Sequence, residues 1–230
     1  MSRHLDLDLD LDHLRTLIVR MGSLVEDQVD YAVKAVIDGD PSLARFLIER
    51  DAKVDEFDNE IDCHCMNIFA LAQPVAVDLR LLMAALKINN ELERIGDIAV
   101  DVARHVEPLM QHSEFLRTTP LQEMAQASRE MMRWAIESFV DSDPWIARRV
   151  LRSDAMVDRL DKETSHAMTT IMRERHECAE VASRVVLLSR HLERLADHAT
   201  NIAEDLIFLV EAKIIKHQYY DVEPDALSNV

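Results

Sequence analysis

Apolar residues recur along most of this chain at the three- and four-residue steps of a helix that buries one face. From His13 the pattern reads Leu14, Leu17, Ile18, Met21, Val25, Val29, Ala32, Val33 and Val36. It predicts an amphipathic helix that stops at Asp38-Gly39-Asp40-Pro41. There Gly39 can close the first helix and Asp40 can cap a second one, with Pro41 in its first turn. The second helix is expected to run to about Ala72 and to break at Gln73-Pro74. A third ends near Pro108, and a fourth opens at Thr119-Pro120 with the same kind of cap and ends at Asp141. A fifth starts at Asp143-Pro144, and a sixth covers roughly 180–217. Ahead of them, Leu5 to Asp12 alternates Leu and Asp, a strand-like period too short to stand alone. Residues 1–12 are therefore expected to be a loose lead-in.

The two halves repeat. Asp40-Pro41 matches Asp143-Pro144, and Asp51-Ala52-Lys53-Val54-Asp55 matches Asp154-Ala155-Met156-Val157-Asp158, both at an offset of 103. Leu92-Glu93-Arg94-Ile95-Gly96-Asp97 returns as Leu192-Glu193-Arg194-Leu195-Ala196-Asp197 at an offset of 100. The chain is thus expected to be all-α, two tandem three-helix bundles built from six long helices. The divisions are 13–110 and 120–217, with a linker at 111–119 and a polar tail at 218–230.

Composition agrees with this and narrows the function. Only 3 Gly and 6 Pro, with 48% hydrophobic residues, suit a helical protein with short connections. A formal charge of −17 argues against nucleic acid and against unaided binding to anionic lipid. It suits cations or a partner with a basic surface. No apolar run approaches the roughly 20 residues of a membrane span, and Met1-Ser2-Arg3-His4 leads into no apolar signal core. Three cysteines, Cys63, Cys65 and Cys178, form no disulfide pattern. A cytoplasmic location is expected.

The candidate chemistry lies in carboxylates. Residues four apart stack on one helix face, so Glu93, Asp97 and Asp101 form an acidic row, opposite the stripe of Ile88, Leu92, Ile95, Ala99 and Val102. Glu193, Asp197 and Asn201 form its copy, with Asn201 a neutral and weaker ligand. The preceding helix carries Asp51/Asp55 in the first half and Asp154/Asp158 in the second. In an antiparallel hairpin, two positions are level when their midpoint is the turn. The first pairs centre on 53 and 95, whose mean is Pro74; the second centre on 156 and 195, whose mean is 175.5. Four carboxylates can then converge in each half. Like charges so placed repel by about 0.2–0.5 kcal/mol per pair, which an ion would relieve. Open oxygen ligation suits Mg²⁺, Mn²⁺ or iron better than a closed zinc site. A divalent or ferric ion, Mg, Mn, Fe or Zn, is expected at each site.

Other motifs are weaker. Cys63-His64-Cys65 resembles a metal-binding fragment, but residues two apart on a helix point to different sides; it reads as two core-leaning cysteines and a surface histidine. Glu163 and His166 form a single Glu-x-x-His, where di-iron bundles need two. Met21, Met83 and Met132 fall at apolar helical positions and read as core. No glycine-rich phosphate loop or nucleophile motif is present. Arg80, Arg94, Arg190 and Arg194 flank the acidic rows, either as local ion pairs or as partner contacts. A carboxylate-ligated di-metal enzyme, an oxidase or phosphohydrolase, is the rival reading to a non-catalytic metal-binding adaptor.

Met21-Gly22-x-Leu24-Val25-Glu26-x-Gln28, Pro74-x-x-x-Asp78-Leu79-Arg80, the Leu92–Asp97 motif and the block from Leu192 to Glu204 together resemble the PhoU family, over about residues 10–217. The resemblance implies a cytoplasmic accessory protein of the high-affinity phosphate transporter that negatively regulates the phosphate-starvation response. It implies contacts with the transporter and a sensor histidine kinase, a homodimer, and attachment to the inner membrane only through protein partners. It also implies metal at Asp51, Asp55, Glu93 and Asp97, and at Asp154, Asp158, Glu193 and Asp197. Asn201 departs from the simplest pattern.

Overall fold

The computed structural model describes residues 2–215, and over them the chain is helical. Helix α1 spans Ser2–Asp38, α2 Pro41–Arg50, α3 Ala52–Ala72 and α4 Val77–Arg104. Short helices α5 (Val106–Leu109) and α6 (Ser113–Arg117), with a 3₁₀ turn at Met110–His112, lead into the second half. There α7 spans Leu121–Asp141, α8 Pro144–Glu174 and α9 Ala179–Glu211. The first bundle packs α1, α3 and α4 together; the second packs α7, α8 and α9. The two are joined where α4 lies along α9 and α1 touches α7.

The caps follow the sequence. Asp40 accepts from the backbone N–H groups of Ser42 and Leu43, and Asp143 from that of Trp145, each just ahead of a proline. Gly39 takes φ +64° to end α1. The position that repeats it is Ser142, which holds φ 52° and donates its N–H to Phe139 and Ser138.

Several sequence expectations change. Residues 2–12 belong to α1: a period of two contains a period of four, so Leu7 and Leu11 join Leu14, Ile18 and Met21 in one buried stripe, while Leu9 stands 64% exposed. The second helix is broken at Asp51, where Val54 N–H bonds the Asp51 carbonyl at 2.7 Å in a tightened turn. Its counterpart α8 runs through the equivalent position unbroken. The 111–119 segment is mostly helical turns, pinned by buried Phe115. Thr119 does not cap α7; its Oγ1 donates back to the carbonyls of Phe115 and Leu116. The polar tail at 218–230 lies outside the described residues.

The core is continuous across both bundles and uses Met21 and Met132, but Met83 is exposed. Cys65 is buried, with its thiol pushed up to about 12 by desolvation, whereas Cys63 is exposed. The expectation of two core-leaning cysteines therefore fails at Cys63: residues two apart point to different sides of a helix, so the face that buries Cys65 turns Cys63 outward.

Candidate functional site

In the first bundle α3 and α4 form an antiparallel hairpin whose turn falls at 73–76. That places Asp51 and Asp55 beside Glu93 and Asp97. Burial raises the Asp51 carboxyl above its usual range, with further repulsion from Asp55 and Asp97. Burial likewise raises Glu93, and Asp97, Asp58 and Asp55 add to it. The four carboxylates expected from the sequence therefore act on one another, and Asp58 joins them. One Glu93 oxygen, Oε2, is buried without a hydrogen bond, with Arg94 Nε 3.4 Å away.

A close helix approach makes this possible. A Cβ at Gly96 would stand 3.2 Å from Gln28 Oε1, 3.3 Å from Val54 Cγ1 and 3.6 Å from Asp51 Oδ1. Gln28, fully buried in α1, donates its Nε2 to Asp51 Oδ1 at 3.3 Å. In the second bundle Ala196 and Met131 occupy the corresponding positions, both buried.

The second cluster follows the same plan on the unbroken α8. Burial, then Asp158 and Glu193, push the Asp154 carboxyl up to about 6. Burial raises Asp197, helped by Asp154 and Asp158, and raises Glu193, helped by Asp197, Asp161 and Asp158. Asp158 is itself half-exposed.

Asp58 and Asp161, which repeat at the same offset of 103, escaped the sequence reading. Extending the Asp-x-x-x-Asp match by three residues would have found them. Each is held from the neighbouring helix: Asn89 Nδ2 donates to Asp58 Oδ1 at 2.7 Å, and Ser189 Oγ to Asp161 Oδ1 at 2.8 Å. Asp161 is almost wholly buried and also pairs with Arg190 at 3.0 Å. Arg94 stays local, 3.4 Å from Glu93 and 3.5 Å from Asp97. Arg80 instead donates to the Leu209 carbonyl at the end of α9.

Asp101 and Asn201 are not gathered into the clusters. Both turn to the seam where α4 and α9 run antiparallel. Asp101 pairs with Arg104 at 2.8 Å and lies 4.0 Å from His191 Nδ1. Asn201 Nδ2 donates to Glu91 Oε2 at 3.1 Å. Glu91 and His191 repeat one another, as do Asp101 and Asn201, so these are the same contact seen from either side of a pseudo-two-fold. Lys87 and buried Asp205, 2.9 Å apart, extend the seam.

Among the described residues, no group of three or more His, Cys, Asp or Glu side chains is arranged so that it could hold a metal ion as it stands. The clusters are open sets of mutually repelling carboxylates, and the buried Oε2 of Glu93 accepts no hydrogen bond but lies 3.4 Å from Arg94 Nε. Such sets would have to draw together around a hard cation that tolerates irregular oxygen ligation and retained water.

Two helical bundles in tandem, each carrying a carboxylate cluster at the same level of its hairpin, define the structural class. The PhoU domain matches the chain twice, over residues 18–106 and 121–206, and the chain belongs to the PhoU family. The phosphate-specific transport system accessory protein PhoU homolog of Pseudomonas aeruginosa is 35% identical over 209 residues, covering 90% of this chain and 86% of that protein. The Thermotoga maritima PhoU homolog 1 is 29% identical over 224 residues, 97% of each chain. The crystal structure of PhoU from Pseudomonas aeruginosa superposes with a TM-score of 0.85 at 34% identity, covering 90% of this chain and 99% of that one. That of the phosphate transport system regulatory protein PhoU from Streptococcus pneumoniae gives 0.82 at 25% identity, covering 90% and 98%.

Proposed function

We propose that this protein is a non-catalytic regulatory accessory of a high-affinity phosphate transport system. In this reading it restrains the phosphate-starvation two-component response while phosphate is plentiful. The observation that carries it is similarity along 90% of the chain to proteins named for that accessory role, in sequence and in fold. The protein would work in the cytoplasm as a homodimer, contacting the transporter and a sensor histidine kinase. Among the described residues no helix is long and apolar enough to cross a membrane, so the membrane would be reached through protein partners.

A divalent or ferric cation would be held by Asp51, Asp55, Glu93 and Asp97, and a second by Asp154, Asp158, Glu193 and Asp197. Its contribution is to neutralise carboxylates that otherwise repel one another, fixing each hairpin's surface for a partner. A di-metal enzyme would need those ligands in a shielded pocket. Here Asp97 is 50% and Asp158 45% exposed, which favours a regulatory surface.

Deleting the gene and following a phosphate-starvation reporter in phosphate-rich medium tests the function. The reporter should switch on and be silenced again by the restored gene. A reporter that stays silent after deletion overturns the reading.

A further inference from the structure

The two bundles leave a cavity of about 190 Å³ where α1, α4, α6, α7 and α9 converge. Nine of its eleven lining residues are apolar, and Val33, Val102, Leu121, Leu188 and Leu192 among them are buried. Both bundles contribute, the two valines from the first and the three leucines from the second. The cavity reaches solvent past Ile37, which is 47% exposed. Its two polar lining residues, Arg117 and Gln122, are exposed as well. Among the described residues the Arg117 guanidinium makes no ion pair or hydrogen bond.

Size and lining define the ligand. A closed apolar cavity of about 150 Å³ stays dry and holds a benzene ring. This one therefore has room for a chain of roughly six to eight carbons, too little for the two tails of a membrane lipid. Small-ligand sites are apolar pockets with a few polar groups that fix orientation, and here those groups are one cation and one amide. A guanidinium without a carboxylate partner suits an anionic head, and its planar fork matches a carboxylate through two hydrogen bonds. The adjoining cleft, which shares Val33, Ile37 and Gln122, does not suit an anion. There Glu26, Asp30 and Glu130 outnumber Arg129 and Arg133, and Arg129 already pairs with Asp30 at 2.6 Å. The head is thereby directed to Arg117.

We propose that this cavity binds a medium-chain acyl carboxylate, with the chain packed between the bundles, the head at Arg117 and Gln122 as a second donor. Entry of the chain removes apolar surface from water. A ligand held only by the folded chain also stabilises it. Because α1 and α4 line one side and α7 and α9 the other, occupancy ties the two bundles together. The site shares no residue with the acidic clusters and does not rest on the proposed phosphate role.

Octanoate is titrated into the full chain, labelled at its valine and leucine methyls for NMR. It should shift the methyls of Val33, Val102, Leu188 and Leu192 saturably, while those of Leu14 and Leu160, buried elsewhere in the core, stay put. 1-Octanol should move the same methyls with an affinity roughly 2–5-fold weaker, and acetate should move none. Arg117 is exposed, so Arg117→Gln keeps the fold. It should weaken octanoate by roughly the same 2–5-fold that an exposed ion pair is worth and leave octanol unchanged. Ala125→Leu fills the cavity from α7 and should abolish saturable binding of both. The wild-type methyl map and Arg117→Gln carry the test even where Ala125→Leu fails to fold. Octanoate without saturable shifts, or with shifts spread through the whole core, overturns the site. So do shifts that persist in folded Ala125→Leu. Octanol bound as tightly as octanoate, or octanoate indifferent to Arg117→Gln, overturns the assignment of a carboxylate.

Discussion

Glu91 on α4 and His198 on α9 meet at 2.6 Å across the seam, and the same carboxylate oxygen accepts from Asn201 at 3.1 Å. One acidic side chain of the first bundle thus gathers two groups of the second. Replacing it leaves a half-buried amide and imidazole without that acceptor, which costs about 1–3 kcal/mol. Glu91→Ala is expected to lower the unfolding free energy in urea by that amount, seen as a lower midpoint with the slope preserved. An unchanged midpoint would show that solvent satisfies both groups.

The second acidic cluster should make the metal-free protein less stable as the solution becomes neutral. The Asp154 carboxyl is raised from 3.8 to about 6, so the folded chain binds this proton more tightly than the unfolded one. Its contribution is complete below pH 3.8 and is lost as pH rises through about 6. In the presence of chelator, Asp154→Asn should therefore gain in Tm relative to wild type between about pH 4 and pH 7. A constant difference across that range would refute the raised value.

Ion loading should be separable between the bundles. Glu93→Gln with Asp97→Asn is expected to abolish loading at the first cluster and leave the second intact, read by elemental analysis after incubation with Mn²⁺ or iron. Because the substitutions relieve repulsion of about 0.2–0.5 kcal/mol per pair, the metal-free variant should melt no lower than metal-free wild type. No bound metal in wild type under either oxidising or reducing conditions would remove metal from the functional reading.

Gly96 and Ala196 sit at the same place in the two repeats but should not tolerate the same side chain. An alanine at 96 gains about 1 kcal/mol of helix propensity. Its Cβ would stand 3.2 Å from Gln28 Oε1 and 3.3 Å from Val54 Cγ1, both on fully buried side chains. Overpacking of this kind costs about 1–3 kcal/mol, so Gly96→Ala should be destabilising on balance. Adding Gln28→Met, which copies the buried Met131 of the other repeat, should reshape the contact and recover part of the loss in thermal melts.

Removing Arg190 should be felt more than removing Arg94. Arg190 holds the nearly buried Asp161 at 3.0 Å, while Arg94 makes only the longer contacts, 3.4 Å to Glu93 Oε2 and 3.5 Å to the half-exposed Asp97. Arg190→Ala is expected to cost about 1–3 kcal/mol and Arg94→Ala under about 1 kcal/mol in chemical denaturation. Equal effects would contradict this division.

Much of this protein is settled by local chemistry and can be read from the residues. The apolar stripes of α1, α4, α7 and α9, the Asp-Pro starts of α2 and α8 and the offsets of the repeat follow from helix periodicity and capping, which act within one or two turns. Level placement of Asp51/Asp55 with Glu93/Asp97 follows as well, because an antiparallel hairpin has one midpoint. Tertiary structure alone decided what each face meets. Periodicity shows that Leu7 and Leu11 can share a stripe with Leu14, but only a neighbouring helix makes that stripe worth burying. Glu93 and Asp101 lie two turns apart in the same row, yet Glu93 faces α3 and Asp101 faces α9, since the row drifts around the helix and the neighbours change along it. The seam of Glu91, His191, Asp101 and Asn201 joins residues about a hundred positions apart. Its partners are chosen by the antiparallel packing of α4 on α9, an arrangement no local spacing encodes.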